Sequence, residues 1–446
     1  MAFPGRRSFS AADATMVMGL AMPRLSARIA AGRTRRPSSA PMSQLEFEST
    51  APASAHRPGE VGALRVAGHE LTIFEESPPL IAAMIDDIEQ ARVRVWLESY
   101  IIADDAAGRA VAEALARRAA AGVDCRVMYD YVGSNATPRS FFARLERSGV
   151  QVRGYRSLWQ VLRRFRSLRP FHRRDHRKLL VIDNRLAYFG GMNVVDQSGI
   201  RTVEEAKARH LPASAGWRDV HVRLFGPGQA EVAEAFARLW RKSQIAPPRR
   251  RWARWPVRRM LSEQGEGIYF FDSRPQLRHR RPTRVLVPLL RRARKNITLS
   301  MAYFIPQGRV LRELKRASRR GVKVRVIIPG KSDVKTVEWA TRHLYEKLLR
   351  YGIRIYERKD QMLHSKVMVI DDQWSMIGSC NLDPRSFWFN LEFFAVFRSR
   401  PMAATLRRIC GFEMRNSRRV TVLDVLGRPW WQRLRDRIAW SLRKWL

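Results

Sequence analysis

The octet HRKLLVID at His176–Asp183 returns as HSKVMVID at His364–Asp371. Each copy is followed, at the same distance, by a small-residue turn that ends in Asn: GGMN at Gly190–Asn193 and GSCN at Gly378–Asn381. One such octet in a chain this basic would carry little weight, but two in register with their surroundings constrain the whole fold. The segments ARVRVWLESYII (91–102), GRAVAEALARRAAAGV (108–123) and DCRVMYDYVGS (124–134) read as strand, amphipathic helix and strand. KNITLSMAYFIP (295–306), GRVLRELKRASRRGV (308–322) and KVRVIIPGKSD (323–333) repeat that order. Strand–helix–strand succession predicts right-handed βαβ units, hence an α/β fold of two pseudo-symmetric lobes, each a mostly parallel mixed sheet flanked by helices. The chain then divides into a basic extension (1–60), a first lobe (61–245), a linker rich in Arg, Trp and Pro (246–262), a second lobe (263–415) and an amphipathic tail (416–446).

Alternate residues of a strand share a face, so His176 stands beside Lys178 and His364 beside Lys366, while Arg177 and Ser365 turn away. An imidazole can attack or protonate, and an ammonium can neutralise a phosphoryl oxygen, so each pair suits phosphate chemistry. Exchange at a phosphodiester needs an attacking group and a proton donor on opposite sides of phosphorus. Pseudo-twofold packing would set His176 and His364 across one cleft, with Lys178, Lys366, Asn193 and Asn381 around the oxygens.

Composition narrows the partner. The 446 residues carry a formal charge of +42, which points to a polyanion: nucleic acid or anionic lipid. Three cysteines without CxxC spacing cannot form a disulfide framework or a zinc knuckle, and fit a reduced compartment. No apolar run is long enough to span a bilayer, so membrane association would be peripheral. The tail offers the means: PWWQRLRDRIAWSLRKWL places Trp431, Leu434, Ile438, Leu442 and Trp445 on one helical face, as in a helix lying in a membrane interface, although a helix packed on the protein would share much of that pattern. Trp252 and Trp255 in the linker suit headgroups or stacked bases. The basic run Arg163–Arg177 reads equally as a cleft mouth for anionic headgroups or as a solvated loop, with His172–Asp175 as approach surface. The first 42 residues, with seven Arg and one acid, read as a disordered extension or as lying upstream of the true start at Met42.

The two octets with their GGMN and GSCN turns resemble the HKD motifs of the phospholipase D superfamily. More closely, RRDHRKLLVID, GGMNV, WRDVHVRLFGP, YFIP and GSCNLDPRSFWFNLE are similar to bacterial cardiolipin synthases that lack amino-terminal membrane helices, over most of the chain. The resemblance implies two phospholipase D-like lobes and a two-step phosphatidyl transfer from phosphatidylglycerol to a second phosphatidylglycerol. His176 would be the nucleophile and His364 the acid and base, with Lys178 and Lys366 beside them. Asp183 and Asp371 complete the motifs in a structural part, and Asn193 and Asn381 hold phosphate. Asp219 is expected to orient His176, and Glu392 to orient His364. No cofactor or metal is implied, and the setting is the cytoplasmic face of the bacterial inner membrane. A hydrolase or a transferase with another acceptor would share this site. A metal-independent nuclease would suit the charge, but the segments quoted and the tail weigh against nucleic acid.

Overall fold

The computed structural model describes residues 60–156, 173–196, 216–242, 257–274, 281–306, 308–359 and 361–444. The basic extension, His172 with the run before it, Trp252 and Trp255 of the linker, and Trp445 lie outside the described residues.

The first half contributes β1 (Glu60–Val66), β2 (His69–Phe74), α1 (Ser77–Glu89), β3 (Arg94–Ser99), α2 (Ala106–Ala120), β4 (Asp124–Asp130), α3 (Arg139–Arg147) and β5 (Gln151–Tyr155). Then follow β6 (Leu179–Ile182), β7 (Leu186–Gly190), β8 (Trp217–Arg218), β9 (His221–Phe225) and α4 (Gln229–Lys242). The second half runs α5 (Val257–Ser262), β10 (Gly267–Ser273), α6 (Thr283–Arg292), β11 (Asn296–Met301), α7 (Gly308–Arg319), β12 (Lys323–Pro329), α8 (Lys335–His343), α9 (Tyr345–Arg350) and β13 (Arg354–Arg358). It continues with β14 (Met362–Leu363), β15 (Lys366–Ile370), β16 (Trp374–Gly378), α10 (Pro384–Trp388), β17 (Glu392–Arg398), α11 (Arg400–Arg415), β18 (Ser417–Val420), α12 (Val422–Leu426) and α13 (Trp430–Ser441).

Two eight-stranded mixed sheets result, ordered β1-β2-β9-β7-β6-β3-β4-β5 and β10-β17-β16-β15-β11-β12-β13-β18. The expected βαβ units are present: β3-β4-β5 and β11-β12-β13 pair in parallel. All other neighbours in the two sheets pair antiparallel, which corrects the reading of mostly parallel sheets. The reason lies in the octets: each is followed by a tight turn at Asp183 or Asp371, too short for the crossover that parallel pairing requires, so β6-β7 and β15-β16 are hairpins.

Strands buried on both faces read as continuous apolar runs, and LLVI and VMVI of the octets are of this kind. Leu180 and Ile182 join a core with α1, α2 and α3, while Leu179 and Val181 face the other way. Met368 and Ile370 pack likewise into an outer core of the second lobe. Leu179, Val181, Val367, Val369, Phe393 and Phe397 meet in one apolar core between the sheets, closed by Met402, Leu406 and Ile409 of α11. The lobes therefore share their interior. Two boundaries move: Met260 of the supposed linker belongs to the second lobe's core, and β18, placed in the tail from sequence, pairs with β13 as the sheet's edge. Among the described residues no helix is long and apolar enough to cross a membrane.

Candidate active site

Both histidines sit at the mouths of their strands. His176 lies just before β6 and His364 just before β15, and each is tied through its backbone to the opposite lobe. The His176 amide donates to the carbonyl of Leu391 at 3.0 Å, and the His364 amide to that of Arg218 at 2.7 Å. β8 pairs in parallel with β14 across the lobes, and Asp175 forms an isolated bridge with Leu391. Each bridge ends one residue short of an acid: Asp219 follows Arg218, and Glu392 follows Leu391.

The acids consequently meet the partner lobe's histidine. His176 Nδ1 lies 3.1 Å from Glu392 Oε2, and His364 Nδ1 lies 2.7 Å from Asp219 Oδ2. This reverses the expected assignment of Asp219 to His176 and Glu392 to His364. The backbone bridges are the cause, because they carry each acid past its own lobe's histidine. His176 Nδ1 also lies 3.1 Å from the Ser379 carbonyl, which can only accept, so the proton resides on Nδ1 and Nε2 keeps its lone pair.

The two acids differ in kind. Burial pushes the Glu392 carboxyl up to about 7, although Lys178 and the donors Ser379, Ser386 and Asn390 oppose the rise. Burial also acts on Asp219, but Lys366 and His364 outweigh it and hold that carboxyl below its usual range. Lys366 Nζ lies 3.3 Å from Asp219 Oδ2, while Lys178 Nζ donates to the His176 carbonyl at 2.7 Å. Burial, with Lys366 nearby, brings Lys178 down to about 7 and lowers both histidines as well.

The small-residue turns make room for the acids. A Cβ on Gly191 would fall 2.2 Å from Asp219 Oδ1, so GGMN admits no side chain at that position. Ser379 stands at the matching place in GSCN, where its hydroxyl donates to Glu392. Asn193 Oδ1 accepts from the Ile101 amide at 3.2 Å and Asn381 Oδ1 from the Tyr303 amide at 3.3 Å. This turns the amide NH₂ of each away from the backbone contact.

Asp183 and Asp371 sit at the far ends of β6 and β15, with left-handed φ of 53° and 52°. Their carboxylates accept backbone amides at Arg92–Arg94 and Arg294–Asn296, anchoring each hairpin to the start of its neighbouring strand, β3 or β11, rather than touching the histidines. The approach surface expected at His172–Asp175 is also corrected: Arg174 and Asp175 are buried. Arg177, turned off the face of His176 and Lys178, is fully buried, with its guanidinium 2.6 Å from Glu98, 3.2 Å from Asp175 and 3.1 Å from Asp272. Counterions distant in sequence draw this charge run inward.

Sequence reasoning missed the aromatic walls. Tyr100 meets His176 edge-on at 5.2 Å between ring centroids, with Lys178 5.3 Å from the tyrosine ring. Tyr303 meets His364 edge-on at 6.3 Å, and Trp217 lies against the same imidazole at 5.2 Å. For the two tyrosines, their place in SYII and AYFI, just past β3 and β11, was the available signal. The two tyrosines are one residue out of register, since Ile101 and Tyr303 are the matching donors to the Asn pair.

Comparison with known proteins decides the family. The model described as "Cardiolipin synthase, PLD-like domain" matches residues 84–211 and 286–411, one segment per lobe. The chain belongs to this family of PLD-like proteins. It is 31% identical to cardiolipin synthase A of Edwardsiella ictaluri over 387 residues, covering 84% of this chain and 76% of that protein. It is 30% identical to cardiolipin synthase B of Salmonella typhi over 375 residues, covering 83% and 87%. Among solved structures, phosphatidylserine synthase of Haemophilus influenzae shares the fold with a TM-score of 0.60 at 14% identity, covering 86% of this chain and 96% of that one.

Proposed function

We propose that this chain is a phosphatidyltransferase that makes cardiolipin from two molecules of phosphatidylglycerol. Membership of the cardiolipin synthase family supports the reaction. The observation that carries the mechanism is the pair of cross-lobe contacts, His176–Glu392 and His364–Asp219, each made through Nδ1; Lys366 Nζ also lies 3.3 Å from His364 Nε2, where the substrate's oxygen would come.

In the first step His176 Nε2 attacks phosphorus and the P–O bond to glycerol breaks. Protonated His364 gives its Nε2 proton to the departing alkoxide, so glycerol leaves neutral and a phosphatidyl group remains on His176. In the second step neutral His364 takes the proton from a hydroxyl of another phosphatidylglycerol, whose oxygen displaces His176 from phosphorus. Cardiolipin leaves and both histidines return to their starting states. Lys178 and Lys366 neutralise the non-bridging oxygens, and the NH₂ groups of Asn193 and Asn381 donate to them. Glu392 stabilises positive charge on His176 after attack, as Asp219 does on His364.

The test is product analysis with purified protein and phosphatidylglycerol vesicles, in the presence of a metal chelator. The expected products are cardiolipin and glycerol in equal amounts, lost in His176→Ala and in His364→Ala. Phosphatidic acid in place of cardiolipin would mean that water is the acceptor. No turnover by the wild-type protein would overturn the proposal.

A further inference from the structure

Eight of the twelve large apolar side chains exposed among the described residues lie between Val422 and Leu442. Single exposed apolar residues are ordinary, but such a concentration on two consecutive helices marks a contact surface. Trp430, Leu434, Ile438 and Leu442 recur every fourth residue, so they form one stripe along α13, with Trp431 beside it. α12 adds Val422, Leu423 and Leu426 on one side of its single turn and buries Val425 on the other.

The opposite face of α13 is anchored. Asp436 is buried in ion pairs with Arg428 at 2.6 Å and Arg435 at 3.2 Å, and Arg435 lies over the Trp339 ring at 4.6 Å. Ala439 packs with Ile305, Val337 and Ala340, and Trp440 stacks on His343 at 5.5 Å. The helix thus turns Arg435, Asp436, Ala439 and Trp440 inward and presents its apolar stripe outward. Tyr303, the edge-on neighbour of His364, packs against that same cluster, so the anchored helix lies one layer of side chains from His364.

We infer that α12 and α13 form the docking face for an anionic lipid bilayer, seating the protein so that its cleft opens beside the headgroups. Charge selects this occupant over a second copy of the chain. Arg433, Arg437 and Lys444 are exposed around the stripe, whereas the acids of this segment, Asp424 and Asp436, are already ion-paired, to Arg418 and to Arg428 and Arg435. A twofold contact would oppose cation to cation, while an anionic surface complements the rim. Tryptophan rings favour the headgroup level, and the stripe is as long as an interfacial helix of three turns. The inference rests on the transferase reading only in connecting the face to a lipid substrate, and binding is measured without turnover.

Flotation of the full chain with vesicles tests it. The wild-type protein is expected to float with vesicles of phosphatidylglycerol and phosphatidylcholine, and to remain below with phosphatidylcholine alone. The pair Leu434→Glu with Ile438→Glu should lower vesicle affinity about a hundredfold or more, since each side chain forfeits apolar burial worth a factor of about ten. Leu423→Glu on α12 should act in the same direction through a separate element, which guards against misfolding of α13, and unchanged thermal unfolding qualifies each variant. Flotation of both variants like the wild type would overturn the inference. So would a wild-type dimer that the substitutions dissociate while vesicle binding persists.

Discussion

At Glu392 and Lys178, burial acts on opposite charges and brings both groups to the same region of pH. Glu392 is raised to about 7 and Lys178 lowered to about 7, so the two titrate together and their apparent values belong to the pair. As pH rises, Glu392 gains the charge that stabilises a cationic His176. Lys178 meanwhile loses the charge that neutralises phosphate. A bell for kcat/KM with its maximum near neutrality is expected, the acid limb reporting Glu392 and the alkaline limb the loss of charge from Lys178 together with loss of the His364 proton that the leaving alcohol needs. Glu392→Gln should lower kcat by about 10²–10⁴ and flatten the acid limb, because an amide does not titrate. A pH–rate profile whose acid limb survives that change would assign it elsewhere.

Among elements, the two octets differ most at their second residue. Ser365 in the second copy needs only the Ser300 hydroxyl, 2.6 Å away. Arg177 in the first reaches Glu98 on β3 and Asp272 on β10, and so ties the His176 end of one lobe to the edge strand of the other. Removing a cation from such a buried group leaves carboxylates uncompensated. Arg177→Met is expected to cost about 3–5 kcal/mol, read from urea denaturation, and adding Glu98→Gln should return part of that loss. A cost below about 1 kcal/mol would mean that water already compensates these carboxylates. The inward course of this arginine was not legible in the sequence, where a charge run ordinarily marks a solvated face and the counterions lie far along the chain. β18 was missed for a related reason: SRRV is short and rich in arginine, and only its pairing with β13 makes it a strand.

Over the whole molecule, what periodicity and duplication encode was legible: the two lobes, the βαβ units, the histidines and lysines, and the apolar face of the tail helix. What escaped depends on how the lobes meet. The acids were found as residues but assigned to the wrong histidines, because Leu391 and Arg218 bridge across the interface and no local pattern records that. The tyrosines escaped because their places in the two lobes differ by one residue. The shared core also governs folding. Leu179, Val181, Val367 and Phe393 bury one another from both sheets, so neither lobe can unfold without exposing the other. Calorimetry should give one cooperative transition for the two lobes, and two separated transitions would contradict a common core.

If each histidine works with a carboxylate from the opposite lobe, an activated substrate separates the two pairs. With the p-nitrophenyl ester of phosphatidic acid the leaving group needs no proton, so formation of the intermediate requires His176 and Glu392 but not His364 and Asp219. Asp219→Asn should release a stoichiometric burst of p-nitrophenol and then stall, with the phosphatidyl group recovered on the peptide containing His176. Glu392→Gln should show no such burst. The reverse pattern, or a label on His364, would overturn this pairing of histidines and acids.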